Sequence, residues 1–342
     1  MLPGFLGDGR LRILVTGSAG FIGFHLSRRL LAEGHEVVGL DALTPYYDVR
    51  LKQARHAMLA ESARFRPVIG RLEDAEVVEA AFADGPEVVV HLAAQAGVRY
   101  SLEQPFSYAD SNVTGTLAVL EAARRTGPQH LLIASSSSVY GMSEQPSRET
   151  DMTDWPVSLY AATKKATEAM SHSYAHLFRV PTTCLRFFTV YGPWGRPDMA
   201  LFKFAEAIAA GEPISLYGEG RMRRDFTYVE DVVSAVWRLI GQAPVMGEPV
   251  EGDTLSTVAP WRVVNIAGGR PVELMRFVSA VEAAMGREAE KQLLPMQQGD
   301  VPETAADTRL LRALVGQVPS TEVEDGVRAF VEWFGEWRGS GR

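Results

Sequence analysis

Short apolar runs recur along the chain, and most of them are hydrophobic throughout instead of alternating with polar residues. Such uninterrupted runs are typical of strands that are buried on both faces of a parallel sheet. The pattern predicts strands at residues 12–17, 36–41, 64–70, 87–94, 130–137, 182–188 and 263–268.

The segments between these strands place apolar residues at the spacing of amphipathic helices. Strands that alternate with helices predict an α/β fold, here a doubly wound parallel sheet of the Rossmann-like type with right-handed crossovers. The predicted helices of this part cover residues 21–33, 74–83, 107–126, 158–178 and 230–241.

The pattern changes at Tyr191, where the turn-rich stretch YGPWGRPDM begins. Helical spacing returns at 199–210, and residues 271–342 are mostly helical, so we expect a smaller, discontinuous substrate-binding domain. The polar loop 242–261 suggests no function. The predicted division is 1–190 plus 225–268 for the Rossmann-like domain and 191–224 plus 269–342 for the substrate-binding domain.

Composition narrows the functional classes. A chain of 342 residues with 46% hydrophobic content is long enough for about two domains, and a net charge of −8 argues against a nucleic-acid surface. The single cysteine, Cys184, lies in an apolar run and is expected in the core. No apolar stretch reaches the roughly 18 residues that span a bilayer, and the first twelve residues lack a signal-peptide pattern. We therefore expect a cytoplasmic protein without membrane contact.

A glycine-rich turn, TGSAGFIG, follows the first predicted strand and opens the first predicted helix. Gly17, Gly20 and Gly23 allow a tight turn, close approach of a diphosphate and close helix–strand packing, with the anion at the helix N-terminus. Asp41 ends the second strand, where a carboxylate accepts ribose hydroxyls and repels a 2′-phosphate. The turn therefore predicts NAD instead of NADP. The alternative for Asp41 is an ordinary acid at the end of a strand.

The stretch SLYAATKKATE places Tyr160 and Lys164 on one face of a predicted helix. A tyrosine ionises near pH 10, and an adjacent ammonium lowers that pKa by stabilising the phenolate. The pair is therefore a candidate for general base catalysis. The alternative is an ordinary amphipathic helix, in which a tyrosine and a lysine share a face without chemistry.

Taken together and in order, TGSAGFIG, Asp41, HLAAQAGVR, SSSSVYG, the Tyr160/Lys164 pair and RRDFTYVED resemble the extended short-chain dehydrogenases/reductases over residues 11 to 335. Within that superfamily the chain is most similar to the UDP-glucuronate 4-epimerases. The more specific matches are LDALTPYYDVRLKQAR, AAQAGVRYS, PVSLYAATKKATE, FFTVYGPWGRPDMA and QQGDVPETAADT.

The resemblance implies a catalytic set. Tyr160 takes the proton of the sugar C4 hydroxyl, Lys164 lowers the pKa of Tyr160 and binds the nicotinamide ribose, and Ser136 hydrogen-bonds to the same sugar oxygen. The hydride of C4 passes to NAD and returns to the other face of a transient 4-keto sugar. The cofactor-binding residues that the resemblance implies are Gly17, Gly20, Phe21, Ile22, Gly23, Asp41, Leu72, Ala93, Tyr160 and Lys164.

Two serines separate the chain from related enzymes. Nucleotide-sugar 4,6-dehydratases usually carry Asp-Glu before V-Y-G, and UDP-glucuronate decarboxylases usually carry Glu directly before it. Here Ser137 and Ser138 occupy those positions. The resemblance therefore favours epimerisation over elimination or decarboxylation. The alternative is that both serines only close a hydrogen-bonded turn.

A uronic acid that is oxidised at C4 becomes a β-keto acid and can lose CO₂, so an epimerase must restrain the carboxylate. Neutral hydroxyls and a cation suit this task. The resemblance places Ser137, Ser138, Thr189 and Arg196 at the C6 end of the sugar. The alternative for Arg196 is a surface-loop arginine.

At the nucleotide end, the resemblance assigns Arg224 to the diphosphate, Tyr217 to the uracil and Asp300 to the ribose. Arg224 and Tyr217 have salt-bridged or packed roles as alternatives. Two departures stand out: Arg71 replaces an acid that often binds adenine, and Gln297 replaces a phosphate-binding arginine.

The function expected from the sequence is NAD-dependent interconversion of UDP-glucuronate and UDP-galacturonate. The alternatives are a UDP-hexose 4-epimerase, a UDP-glucuronate decarboxylase and a noncatalytic NAD-binding sensor. Related proteins form homodimers through the helices that correspond to 107–126 and 158–178, so we expect a homodimer. We expect His91 to be an ordinary strand residue. No cluster of His, Cys, Asp or Glu has the spacing of metal ligands, so we expect no metal.

Overall fold

A computed structural model of the chain describes residues 9–339. The strands of this part, in chain order, are β1 (Arg12–Thr16), β2 (Glu36–Asp41), β3 (Phe65–Ile69), β4 (Val88–His91), β5 (His130–Ser136), β6 (Thr182–Phe187), β7 (Thr189–Tyr191), β8 (Ile214–Leu216), β9 (Arg223–Arg224), β10 (Phe226–Tyr228), β11 (Trp261–Ile266), β12 (Val272–Glu273), β13 (Lys291–Leu293) and β14 (Glu303–Thr304).

The α-helices of the same residues are α1 (Phe21–Ala32), α2 (Val49–Ala60), α3 (Ala75–Phe82), α4 (Tyr100–Glu103), α5 (Pro105–Tyr108), α6 (Gly115–Thr126), α7 (Leu159–Phe178), α8 (Ala200–Ala210), α9 (Val229–Ile240), α10 (Leu274–Met285), α11 (Arg309–Val315) and α12 (Val323–Gly339). A π-helical turn at Ala109–Thr114 joins α5 to α6, and 3₁₀ turns lie at Ser137–Tyr140 and Tyr217–Gly220. No helix of the described part is both long enough and apolar enough to cross a membrane.

Seven strands of the described residues form the central sheet in the order β11-β6-β5-β4-β1-β2-β3, and every neighbouring pair is parallel. The strand order reverses between β1 and β4, where ligands of open α/β sheets bind beyond the carboxyl ends of the strands. The predicted doubly wound parallel sheet is confirmed, including the return of the chain to this sheet at β11.

Each face of the sheet has its own hydrophobic core. Ile13 and Val15 of β1 point to the face that α1, α9 and α11 cover, whereas Leu14 points to the face that α3, α6 and α7 cover. Strands that are buried on both faces explain the uninterrupted apolar runs of the sequence.

A separate aromatic core lies outside the sheet, among α8, α10 and α12. Phe226 and Phe277 stack with ring centroids 3.9 Å apart, and Phe330 stacks on Phe334 one helical turn away. Asp225, which is fully buried, accepts hydrogen bonds from the backbone N–H groups of Gly268, Gly269 and Ala306. One carboxylate therefore joins chain segments that are far apart in sequence.

Two helical expectations differ from the structure. The predicted helix 107–126 is divided by the π-helical turn, in which the buried side chain of Asn112 binds both the N–H and the carbonyl of Gln95. Helix α2 was not predicted, because two of its buried positions, Lys52 and Arg55, are charged. A pattern analysis that expects apolar residues at buried positions misses such a helix. The loop 242–261 contains no helix or strand before β11 begins at Trp261.

Candidate active site

The glycine turn between β1 and α1 has no room for a side chain at its three glycine positions. A Cβ atom at Gly23 would lie 2.0 Å from the carbonyl oxygen of Gly17, and one at Gly20 would lie 2.9 Å from it. Gly17 itself has a φ of +74°, and its N–H donates to the Leu40 carbonyl at 2.7 Å. The sequence prediction that these three positions need glycine therefore has a steric cause.

The N-terminus of α1 faces the main cleft, and Gly20, Phe21, Ile22 and Gly23 line that cleft. Gly20 is the N-cap residue and supplies no side-chain acceptor, so no side chain covers the N–H groups of the first turn. These N–H groups and the helix dipole form an anion-binding site, and the missing Cβ atoms leave room beside it. The residues present therefore fit the diphosphate of NAD.

Asp41 lies at the end of β2 and lines the same cleft. It is buried, and its two carboxylate oxygens accept the N–H groups of Ala19 and Leu43 at 2.9 and 2.8 Å. The carboxylate thus holds the glycine turn and the loop after β2 in place. This is the structural role that was the alternative prediction for Asp41. Each oxygen keeps a second lone pair, so the predicted contact with the ribose hydroxyls remains available.

The cleft wall beside Leu72 contains an acid, Glu73, that was not assigned a role from the sequence. Leu72 is buried in the cleft wall, and the exposed Arg71 forms an ion pair with Glu73 at 3.3 Å. Glu73 also lines the cleft and accepts a hydrogen bond from Ser111 at 3.0 Å. Glu73 therefore places a carboxylate on the cleft wall, two residues after Arg71. Ala93 lies beside Gly17 on the same wall.

Ser136, Tyr160 and Lys164 line one cleft with the glycine turn, as predicted. Ser136 ends β5, while Tyr160 and Lys164 lie in the first two turns of α7, which the Ser158 side chain caps by accepting the Ala161 N–H. The buried ammonium of Lys164 donates to the Ala134 carbonyl at 2.7 Å. Burial lowers the pKa of Lys164 to about 8.

The pKa of Tyr160 differs from the sequence expectation. Burial raises it, and hydrogen bonding with Ser136 and the positive charge of Arg196 partly oppose this effect. The sequence predicts that Lys164 lowers the pKa of Tyr160, but the pKa is raised in this structure. The reason is that desolvation of the half-buried phenol outweighs the contacts that favour the phenolate. Arg196 therefore acts electrostatically on the candidate base.

The serine run divides into residues with different contacts. Ser135, which had no predicted role, donates to the buried carboxylate of Glu168 at 2.6 Å, and Arg186 pairs with both oxygens of that carboxylate at 2.9 Å. Ser136 accepts the Ser138 N–H at 3.2 Å. Ser137 and Ser138 are half-buried in a 3₁₀ turn and do not line the main cleft. Ser135 thus fixes β5 against α7.

Arg196 is not a surface-loop arginine. It lines the main cleft, and it forms a two-point ion pair with Asp198, at 3.0 and 2.5 Å. Tyr46 donates to the same carboxylate at 3.0 Å. Asp198 and Tyr46 were not predicted, since nothing in their local sequence distinguishes them. Thr189 lines a smaller adjoining pocket that also includes Arg196.

Tyr217, Arg224 and Asp300 lie apart from the lining of the main cleft and close to Arg99. Arg99 forms an ion pair with Asp300 at 3.2 Å and covers the Tyr217 ring at 4.8 Å, while the charges of Asp300 and Arg99 both act on Arg224. Arg99 had no assigned role, although it ends the quoted motif HLAAQAGVR. The buried side-chain oxygen of Gln297 has no hydrogen-bond partner among residues 9–339.

Two further candidates have structural contacts. His91 is buried between the hydroxyls of Thr16 and Thr116, and burial lowers its pKa to about 3, so the ring is neutral. Cys184 is buried, which raises the pKa of its thiol to about 12. Within the described part of the chain, no three His, Cys, Asp or Glu side chains are grouped as metal ligands.

We expect Gly23→Ala to release the dinucleotide. The new methyl group would meet the Gly17 carbonyl, so the turn must open and the N–H groups of α1 must move. Purified Gly23→Ala should retain NAD at least about tenfold more weakly, a loss of roughly 1.4 kcal/mol, when the released nucleotide is measured after dialysis. Gly335→Ala is the matched control, because a Cβ at Gly335 of α12 meets nothing within 4 Å. Equal NAD retention in both variants would show that the turn does not hold the cofactor.

The chain is similar to known proteins over nearly its whole length. Residues 13–250 match the model of the NAD dependent epimerase/dehydratase family. The chain is 58% identical over 330 residues to a protein named "Probable UDP-glucuronate 4-epimerase" from Rhizobium meliloti (strain 1021), with 95% of this chain and 97% of that protein covered. It is 43% identical over 335 residues to UDP-glucuronate 4-epimerase 1 from Arabidopsis thaliana, covering 96% of this chain and 77% of that protein.

Among solved structures, the UDP-glucuronic acid 4-epimerase from Bacillus cereus, in complex with UDP-glucuronic acid and NAD, superposes with a TM-score of 0.86 at 30% sequence identity. The match covers 96% of this chain and all of that chain. The family model, the relatives and the fold indicate the same family. The chain belongs to the NAD dependent epimerase/dehydratase family.

Proposed function

We propose that this protein is an NAD-dependent 4-epimerase that interconverts UDP-glucuronate and UDP-galacturonate and keeps the carboxylate of the sugar. The similarity to proteins named UDP-glucuronate 4-epimerase, and to a structure that holds UDP-glucuronic acid and NAD, supports this substrate. The alternatives are distinguished by the residues that surround the reacting carbon.

The observation that carries the proposal is that Arg196 lines the same cleft as Ser136, Tyr160 and Lys164. Arg196 and Tyr160 line the same cleft, so one substrate can contact both side chains. A cation beside the candidate base suits a sugar with a carboxylate at C6. A neutral hexose gives no reason for a half-buried, ion-paired arginine at this position.

Proton transfer at the C4 oxygen is assigned to Tyr160, with Ser136 as a second hydrogen-bonding group. In this structure Ser136 and Arg196 are the groups that favour the phenolate of Tyr160. Lys164 holds its charge at the end of β5, against the Ala134 carbonyl. When NAD is bound, it supplies the acceptor and donor of the C4 hydride. Gly17, Gly20, Gly23 and Asp41 would hold it, as the site geometry suggests.

Restraint of the carboxylate is assigned to Arg196, Ser137, Ser138 and Thr189. A ketone at C4 allows the C5–C6 bond to break, because its electron pair passes into the carbonyl system as an enolate while CO₂ leaves and C5 later takes a proton. This happens when the C5–C6 bond aligns with the carbonyl π system. A two-point contact from a guanidinium can hold the carboxylate away from that alignment.

The remaining assignments follow the division expected from the sequence. We propose that 1–190 plus 225–268 bind NAD and that 191–224 plus 269–342 bind the nucleotide sugar, with Tyr217, Arg224 and Asp300 at the nucleotide. The first eight residues and the last three lie outside the described residues. We assign the reaction to the cytoplasm, where nucleotide sugars are available, and no step of it needs a nucleic acid or a metal.

A homodimer is proposed on the surface formed by α4 to α7. Its exposed apolar side chains include Phe106, which is 82% exposed, and Phe178 at the end of α7. Burying such a patch in a partner copy is favourable. Sedimentation of the wild type should give twice the chain mass, and Phe106→Glu should give the single chain mass. A wild type that sediments as a single chain contradicts the assignment. The other exposed members of the surface are Leu102, Leu117 and Leu177.

Neighbouring serines should respond differently to substitution. Ser136→Ala removes a hydroxyl at the reacting oxygen, so we expect kcat to fall on the order of 10²-fold with little change in stability. Ser135→Ala removes a hydrogen bond to the charged Glu168, so we expect a loss of about 1.5–3 kcal/mol in the free energy of unfolding and a nearly unchanged kcat. Steady-state kinetics and urea unfolding of both variants check the contrast, and the reverse order of effects would refute these roles.

The direct experiment incubates the purified holoenzyme with UDP-glucuronate, UDP-glucose and UDP-N-acetylglucosamine in parallel and separates the products. We expect UDP-galacturonate as the main product and UDP-glucuronate as the preferred substrate. In Arg196→Gln, a UDP-pentose and CO₂ should increase, because the carboxylate is no longer held. A UDP-pentose as the main product of the wild type would identify a decarboxylase, and faster turnover of UDP-glucose or UDP-N-acetylglucosamine would identify a hexose epimerase.

A further inference from the structure

Helix α2 buries an arginine where helices of this type usually bury an apolar side chain. Arg55 has 0% exposure, and no carboxylate among residues 9–339 lies within ion-pair distance of it. Burying an unpaired charge is costly unless its hydrogen bonds are made to specific groups. The groups that accept hydrogen bonds from Arg55 therefore show which contacts offset the cost of burying its charge.

All acceptors of Arg55 are neutral oxygens, and they belong to three different loops. Nη1 donates to the Ala19 carbonyl at 3.0 Å and to the Tyr47 hydroxyl at 2.8 Å. Nη2 donates to the carbonyls of Trp194 and Gly195 at 2.5 and 3.3 Å. Ala19 lies inside the glycine turn, whereas Trp194 and Gly195 directly precede Arg196. One guanidinium thus connects the cofactor turn with the loop that carries the carboxylate-binding arginine.

The loop before Arg196 adopts a conformation that needs support. Trp194 has a φ of +58°, which is rare for a bulky residue, and a Cβ at Gly195 would lie 2.9 Å from the Gly192 carbonyl. The Trp194 ring packs on Trp333, with centroids 5.2 Å apart. Packing holds the side chain from one direction, and Arg55 holds the two backbone carbonyls from the other.

The direction of the pKa shift of Arg55 also indicates that burying its charge is costly. Burial lowers the pKa of Arg55, and the nearby charge of Arg196 lowers it further, whereas Tyr47 and Asp41 raise it. A second buried cation of the same helix, Lys52, donates to the carbonyl and hydroxyl of Thr44. Helix α2 therefore keeps its two buried positive charges in place through neutral oxygens instead of through carboxylates.

We propose that Arg55 is a positioning residue that fixes the Arg196 loop to the glycine turn, so that the arginine restraining the substrate carboxylate is held in a constant position relative to the cofactor turn. This inference rests on the proposed function. Arg55 is not proposed to touch the substrate; it acts through the backbone of Trp194 and Gly195. Loss of this connection should free Arg196 to move while Ser136, Tyr160 and Lys164, which lie on β5 and α7, keep their places.

The test uses the holoenzyme and the fraction of UDP-glucuronate that becomes a UDP-pentose and CO₂ instead of UDP-galacturonate. A merely structural role would lower total activity but leave this fraction unchanged. In Arg55→Met we expect the fraction to rise on the order of tenfold. In Arg196→Gln the fraction is already high, and adding Arg55→Met should not raise it further, because both changes remove the same restraint. Independent, multiplying effects of the two substitutions would overturn the proposal.

Two variants guard against loss of the fold. Arg262 is a second buried arginine, paired with Asp253 at 3.3 Å and absent from the cleft lining, so Arg262→Met should lower the thermal midpoint without raising the pentose fraction. If Arg55→Met does not fold, Arg55→Lys keeps a buried cation that cannot reach both loops. Amide hydrogen exchange of residues 192–199 should then be faster in that variant, with exchange in α7 unchanged.

The outcomes separate this inference from the proposed function. A wild type that makes no UDP-galacturonate overturns the proposed function. A wild type that makes it, together with folded Arg55 variants whose pentose fraction and exchange at 192–199 match the wild type, overturns only the positioning role. A rise in both quantities supports that role.

Discussion

The close contact between the glycine turn and its own helix is the constraint on which the site depends. Because Gly23 has no Cβ atom, α1 can pack closely against the Gly17 carbonyl, whose oxygen would lie only 2.0 Å from such an atom. The turn therefore brings the first N–H groups of α1 to the cleft. It also places Ala19 between two buried groups, since its N–H donates to Asp41 and its carbonyl accepts from Arg55. The backbone of one residue, Ala19, thus contacts the acid that ends β2 and the arginine of α2 that also binds the loop before Arg196.

Charge is distributed in the cleft in a way that suits an anionic sugar. The end of β5 offers neutral hydroxyls where related enzymes place acids. The cations that line the cleft, Lys52, Arg71, Lys164 and Arg196, outnumber the acids that line it, Asp41 and Glu73. A carboxylate among the serines would repel a uronic acid, whereas oxygen dipoles and a guanidinium can bind it. The absence of acids at Ser137 and Ser138 and the presence of Arg196 are therefore two parts of the same electrostatic arrangement.

Local patterns were enough to predict the sheet and most of the catalytic cleft. The strands could be predicted because both faces are buried, and Tyr160 and Lys164 could be predicted because their spacing places them on one face of α7. The role of Ser135 could not be predicted, because its partner Glu168 is distant in sequence. Glu73 and Asp198 pair with arginines only two residues away, but their contacts with Ser111 and Tyr46 depend on the fold. Helix α2 escaped prediction for a different reason: it buries Lys52 and Arg55, so its binary pattern does not resemble that of a packed helix.

The same limits apply to energetics. The sequence suggested that Lys164 lowers the pKa of Tyr160, yet the direction of that shift depends on how deeply the phenol is buried and on the position of Arg196. Neither quantity is encoded in the spacing of the two residues. Membership of the family gives the reaction class, and the side chains around the C6 end give the reason for the substrate.

The central claim is that the cleft exchanges the configuration at C4 while it protects both the C4 hydrogen and the carboxylate. The most direct measurement uses UDP-glucuronate that carries deuterium at C4 and ¹³C at C6, with the products followed by NMR in ordinary water. The account predicts UDP-galacturonate that retains deuterium at C4 and ¹³C in its carboxylate. Protium at C4 of the product, or ¹³C released mainly as CO₂, would contradict it.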